Sequence, residues 1–383
     1  MPVSTLAFVC LVTFVHYTAA QMRGPVLALY AASHGVTASG IGVMFGGHMV
    51  AAAAGSIPLG RAGDAWGRRP LLVGGMVLGV VTSLALPVAE HPAALVTIYA
   101  IAGLGVAAFT PSALSLVGES APRGRIAYAY GWYSTAHYGA IAVGPFVGGL
   151  VTEWWGYRPA FVASGLGIMV ALLLGMTGSV PRIESPARAQ ATTFSDIRRN
   201  RDVWAGWIIA ASGLFVQGVV FSFFPLLGQE RGLGPAAIGL VFLVLGAGNT
   251  VARFPTGWLV DRTGRPMVYA VGGVALACGA TALFPRADNG AMLLFVAALF
   301  GVASGVAFVA ISTGLAVAAP PSARGLVMGG YSTALYLGFG AGSIALGPVI
   351  AHRGHATGFT LGGGLGILGV LLATLLWWRP SNP

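Results

Sequence analysis

A small set of ionisable and amide side chains stands inside otherwise apolar stretches of this chain. His16, His48 and His137 can exchange protons near neutral pH. Arg23 holds a permanent charge behind a planar fork of donors suited to an oxyanion. Gln21, Gln217 and Asn249 each bring an amide donor and acceptor. An ionisable group within a bilayer is costly, so each such group is a functional candidate. All ten acidic residues fall in loops or at helix ends, so no carboxylate is expected beside Arg23. A buried Arg without one is stable where water or an anion visits it. Gly24-Pro25 follows directly and frees backbone groups there. An anionic or strongly polar head group suits that site; a cation does not. Blander roles stay open: histidines also serve as helix–helix hydrogen bonders, and Arg23 can bond helix carbonyls or reach the interface.

The scaffold that must position these groups follows from composition. The 383 residues are 56% hydrophobic and 8% charged, against roughly 25% charged in a soluble domain. Mean hydropathy is +0.82. This excludes a soluble enzyme, a nucleic-acid binder and a disordered scaffold. Apolar stretches fall near 4–31, 37–62, 69–88, 93–118, 126–151, 160–179, 204–228, 236–260, 267–285, 290–316, 325–350 and 356–378. Each is of membrane-crossing length, ~20 residues. The expectation is an all-α polytopic membrane protein with twelve transmembrane helices. Residues 1–179 form one six-helix half, 180–203 a linker and 204–383 the second half. The first stretch is apolar like a signal peptide but lacks a basic lead, and is read as a span. In the linker, Ser195 is expected to cap a short helix running through Asp196, Ile197 and Val203. Cys10 and Cys278 make no metal or disulfide pattern, and no cofactor is expected.

All 20 basic residues are Arg, giving a net charge of +10. One set of loops holds fourteen of them, the opposite set four, and Arg23 and Arg253 lie within spans. The excess marks the cytoplasmic side, which places both termini and the linker there, in a bacterial inner membrane. The linker's arginines suit anionic lipid.

The two halves repeat. Gly60-Arg61-Ala62-Gly63-Asp64-Ala65-Trp66-Gly67-Arg68-Arg69-Pro70 returns as Gly257-Trp258-Leu259-Val260-Asp261-Arg262-Thr263-Gly264-Arg265-Pro266, with Asp64 and Asp261 offset by 197. Gly131-Trp132-Tyr133-Ser134-Thr135-Ala136 returns as Gly329-Gly330-Tyr331-Ser332-Thr333-Ala334, at 198. Gly144-Pro145 is matched with Gly347-Pro348. Six spans per copy make these parallel repeats about an axis along the membrane normal, which frame a midplane site.

These residues resemble the major facilitator superfamily over essentially the whole chain, in particular its bacterial efflux-type members. The family's loop signature, G-x-x-x-D-R-x-G-R-R/K, fits the second copy through Arg265; the first departs at Ala65. In the family this loop latches the halves in one state of the cycle. Gly60 and Gly257 are expected to allow close helix approach, Asp64 and Asp261 to accept hydrogen bonds, and Gly67 and Gly264 to turn the chain. Gly144-Pro145-Phe146-Val147-Gly148-Gly149 resembles the exporters' G-P-x-x-G-G, whose glycines would pack span 5 on the other half. Two departures are plain: Tyr99 stands where drug–proton antiporters often carry an Arg, and span 1 has no acid.

The resemblance implies a secondary transporter working by alternating access, with proton-coupled export of a neutral or anionic small molecule leading. Uptake or exchange of an organic anion is the alternative. Substrate contacts are expected from Arg23, His16, Gln21, Gln217 and Asn249, and proton coupling from His16, His48 or His137. Conformational roles fall to the two loops (Gly60, Asp64, Gly67, Arg68, Arg69; Gly257, Asp261, Arg262, Gly264, Arg265) and to Gly144, Pro145, Gly148 and Gly149. The expected partners are a small solute, protons and lipid, with no nucleic acid, and the chain is expected to be a monomer. A membrane enzyme or receptor is the other class, but neither H-E-x-x-H nor G-x-S-G nor an acidic dyad occurs in the core.

Overall fold

The computed structural model describes residues 3–121, 126–177, 197–320 and 323–378. Within them the regular elements are all helical. In chain order they are α1 Val3–Ser33, α2 Ala38–Trp66, α3 Arg68–Ala85, α4 Pro92–Ser120, α5 Ile126–Trp155, α6 Tyr157–Thr177, α7 Arg201–Glu230, α8 Pro235–Thr263, α9 Pro266–Leu283 and α10 Gly290–Ala318. A helical run, Arg324–Trp378, is broken at Gly354 (φ 78°, ψ 169°). We call its arms α11 (324–353) and α12 (355–378). Ten of the described helices are long and apolar enough to cross a membrane, the Arg324–Trp378 run counting once. The remaining one, α5, is made more polar by Ser134, Thr135, His137 and Tyr138. Large apolar side chains such as Leu173, Leu371 and Leu375 point outward, as a lipid solvent requires.

The repeat is written into the backbone. Left-handed glycines end six helices, and they fall in pairs: Gly35 with Gly232, Gly67 with Gly264, and Gly156 with Gly354. The offsets are 197, 197 and 198, those of the sequence motifs. A β-carbon costs about 1–2 kcal/mol in this conformation, so these turns are specified by residue type. Short 3-10 turns also recur, at Leu86–Val88 and Phe284–Arg286.

Close helix contacts also recur, one pair of them at the same spacing. A Cβ added to Gly144 of α5 would lie 2.6 Å from the Thr18 carbonyl of α1. One added to Gly342 of α11 would run into the Phe215 carbonyl of α7. The structural counterpart of Gly144 is thus Gly342, at offset 198, rather than Gly347. Gly103 of α4 meets the His48 carbonyl of α2, and Gly305 of α10 meets the Asn249 carbonyl of α8. These two contacts are offset by 201 and 202, one helical turn beyond the motif spacing, and at 197 His48 corresponds to Leu245.

The described chain groups into two compact units, Met1–Pro186 with Phe221–Gly246, and Ala187–Val220 with Ala247–Pro383. In the first, α1 packs on α5 and α6, α2 on α4, and α3 on α4 and α6. In the second, α9 packs on α10 and on the Arg324–Trp378 run. Ser195 and Asp196, expected to start a linker helix, lie outside the described residues, as does most of 180–203. The expected helix is corrected on its C-terminal side, because Val203 belongs to α7. Asn200 supplies the cap: its Oδ1 accepts from the Asp202 and Val203 N–H groups at 3.1 and 3.3 Å.

Candidate functional site

Within the first unit, Arg23, His16, Gln21 and His48 line one cavity, with Tyr17 and Tyr99 among its other walls. Arg23 is 5% exposed. Its Nη1 donates to Ser83 Oγ at 2.7 Å, Thr82 Oγ1 at 3.2 Å and the Gly79 carbonyl at 3.5 Å, all on α3. The guanidinium carbon lies 5.9 Å from the centre of the Tyr99 ring on α4, a cation–π contact. All three hydrogen bonds leave from one nitrogen. Among the described residues, Nε and Nη2 have no hydrogen-bond acceptor, and no carboxylate lines the cavity. The positive charge is therefore solvated by neutral groups on one side only.

The histidines differ from one another. His48 Nδ1 lies 2.8 Å from the Tyr99 carbonyl, and its ring stacks on the Tyr99 ring at 4.3 Å. A carbonyl only accepts, so Nδ1 carries the hydrogen and Nε2 is the free lone pair. His16 stacks on Phe109 at 4.0 Å, and its buried Nδ1 has no hydrogen-bond partner among the described residues. His137 does not line the cavity. It stands one ring away, edge-on to Tyr17 at 4.1 Å, while the Tyr17 hydroxyl pairs with Thr110 Oγ1 at 2.7 Å.

Gln217 and Asn249 belong to the second unit. Gln217 is half-buried and makes no side-chain hydrogen bond among the described residues. Asn249 is engaged: its Oδ1 accepts from Arg253 Nε at 3.0 Å, and the Arg253 guanidinium lies 4.8 Å from the Phe308 ring centre.

The conformational candidates divide. Gly67 (φ 92°) and Gly264 (φ 65°) turn the chain as expected. The expected close approach at Gly60 and Gly257 is corrected, since among the described residues nothing lies within 4 Å of a Cβ at either. Small residues permit close packing only where a neighbour is present. The Asp64 side chain lies outside the described residues, and Asp261 is exposed and accepts no hydrogen bond among them. Arg69 donates to the Met176 carbonyl at the end of α6 at 3.1 Å. Arg262 lies over Trp258 at 5.2 Å, while Arg68 and Arg265 flank the glycine turns.

The G-P-x-x-G-G segment is also corrected in part. Gly144 and Gly148 both face α1, at Thr18 and Met22, and only Gly149 faces α8, at Pro235. Residues four apart share a helix face and the next is rotated by about 100°. On the α8 side, Gly239 packs on Pro145 and Gly246 on Ala142. Glu153 extends this seam, accepting from the Ala236 N–H at 2.9 Å. Sequence reasoning missed Glu153, Thr82 and Ser83. The signal for the last two was a pair of adjacent hydroxyls in an apolar span.

The comparisons with known proteins agree with this architecture. The family model for the Major Facilitator Superfamily matches residues 9–343 and, in a second match, 228–383. An uncharacterized MFS-type transporter of Methanocaldococcus jannaschii is 23% identical over 343 residues, covering 88% of each chain. A chloramphenicol resistance protein of Pseudomonas aeruginosa is 26% identical over 328 residues, covering 82% of this chain and 75% of that one. The crystal structure of the nucleoside transporter NupG superimposes with a TM-score of 0.81 at 14% identity, covering 97% of this chain and 100% of that one. By its repeated twelve-helix fold and by its sequence, the chain is an integral membrane transporter and belongs to the major facilitator superfamily.

Proposed function

We propose that this transporter exports a small neutral or anionic solute by alternating access, with protons moving in as the solute moves out. Arg23 is the anchor for the solute's polar or negative end, and the observation that carries this is its half-solvated guanidinium with no acid in the cavity. His16 and Gln21 complete that wall, and within the second unit Gln217 and Asn249 are the candidate solute contacts. The protons are carried by the histidines: His16 and His48 in the cavity, and His137 behind the Tyr17 ring. Export, rather than uptake, is supported by the exporter-like Gly144–Gly149 segment and by similarity to a chloramphenicol resistance protein.

In this reading the six-helix halves are 1–179 and 204–383, joined by 180–203, whose arginines lie on anionic lipid. Both termini face the cytoplasm of a bacterial inner membrane, and the transporter is a monomer. The two motif loops and the α5 glycines govern the conformational cycle. Uptake or exchange of an organic anion is the second reading, favoured by the same acid-free cavity. Proteoliposome flux with the proton gradient imposed in each direction separates them. Export predicts solute moving against the proton flow, and flux indifferent to the gradient removes the coupling.

A further inference from the structure

We propose that the cavity at Arg23 is a binding site for one small monovalent anion, of halide to formate size. Its volume is about 50 Å3. That is room for a few water-sized particles and far below the ~300–1,000 Å3 of sites for drug-sized ligands. A whole organic solute does not fit there, but a chloride ion or a single carboxylate group does.

The walls supply the chemistry such a guest needs. Arg23 presents Nε and Nη2 with no hydrogen-bond acceptor among the described residues, while Nη1 is tied to Ser83 and Thr82 on α3. The guanidinium is thus held in place by three neutral acceptors and keeps two nitrogens for a guest. The His16 imidazole is the second polar group of the wall: its Nδ1 is buried without a hydrogen-bond partner among the described residues and its ring is pinned on Phe109. Both residues line the cavity, as does the Gln21 amide. A buried unpaired cation is costly, and an anion in this cavity removes the cost of both unmet groups at once. A cation has no acid there to meet it.

The same chemistry serves a free halide or the carboxylate end of a transported solute. The inference shares with the proposed function the premise that Arg23 faces a ligand. It depends on neither the direction of transport nor proton coupling. An equilibrium measurement without a gradient therefore fails separately from a flux assay.

The test uses the full chain in nanodiscs at constant sodium concentration, with gluconate replaced stepwise by chloride, bromide or formate, and reads Tm. Gluconate is too large for the cavity and is the reference. We expect a saturable rise in Tm with chloride, bromide and formate, lost in Arg23→Gln. His16→Phe keeps the ring on Phe109 but removes Nδ1, and should shift half-saturation about three- to tenfold higher, the weight of one hydrogen bond. If Arg23→Gln does not fold, His16→Phe carries the test. A response to formate alone assigns the site to a carboxylate head group, and a response to halide as well assigns it to a free ion. Equal Tm in all four salts, or an undiminished response in either variant, overturns the proposal.

Discussion

The two repeats share a backbone plan but not a chemistry. Their turn glycines, their 3-10 turns and the close contacts at Gly144 and Gly342 fall at offsets of 197 or 198. At an offset of 197, however, Arg23 corresponds to Val220 and His16 to Gly213. Ser83, which holds Arg23, corresponds at 198 to Thr281, whose hydroxyl is already bonded to the Ala277 carbonyl of its own helix. The second repeat has an arginine of its own, Arg253, set on Asn249 and Phe308. The two copies share packing and differ in where they place charge. Side chains that break the repeat are thus better guides to function here than those that keep it.

This comparison can be broken most severely by moving the charge. Val220 is fully buried, so Val220→Arg places a buried cation in a repeat where Ala280 stands in place of Thr82. A loss of about 3–5 kcal/mol is expected, enough to abolish a monodisperse peak in size-exclusion chromatography. The paired glycines come next. Gly144→Val and Gly342→Val should destabilise to a similar degree, each by roughly 1–3 kcal/mol, read as matched drops in Tm. Unequal drops would mean that the seams are not equivalent. The motif loops test the repeat's conformational role: Asp64→Asn should slow turnover severalfold while sparing apparent solute affinity. Lost affinity at normal turnover contradicts a latch.

The smallest effect belongs to the helix caps. Helix α2 is capped by its own Thr37, whose Oγ1 accepts from the Gly40 N–H at 3.3 Å. The equivalent residue before α8 is Gly234, which has no side chain to offer. Glu153 of α5 supplies the missing acceptor at the Ala236 N–H. Glu153→Ala should cost about 1 kcal/mol or less, while Thr37→Ala should cost a similar amount at α2. Both are read as small shifts in Tm.

Much of this was legible in the sequence because membrane proteins write topology in coarse symbols. Apolar runs set the spans, Gly67 and Gly264 set the turns, and motif spacing set the repeat. Arg23, His16 and His48 stood out because charge is rare in hydrocarbon. Which helix faces meet is a tertiary fact. Nothing in the sequence said that Thr82 and Ser83 of α3 would hold Arg23, or that Gly148 would face α1 and Gly149 face α8. Gly60 was misread for the same reason: a glycine marks permission for close approach, and only the fold shows whether a neighbour uses it.

In the proposed function Arg23 is a ligand-facing charge needed for transport and not for folding. Solute flux in proteoliposomes, wild type against Arg23→Ala at equal reconstituted amounts, tests it most directly. Flux should fall to background while expression, size-exclusion profile and orientation remain normal. Flux at the wild-type rate in the Arg23→Ala protein would contradict it.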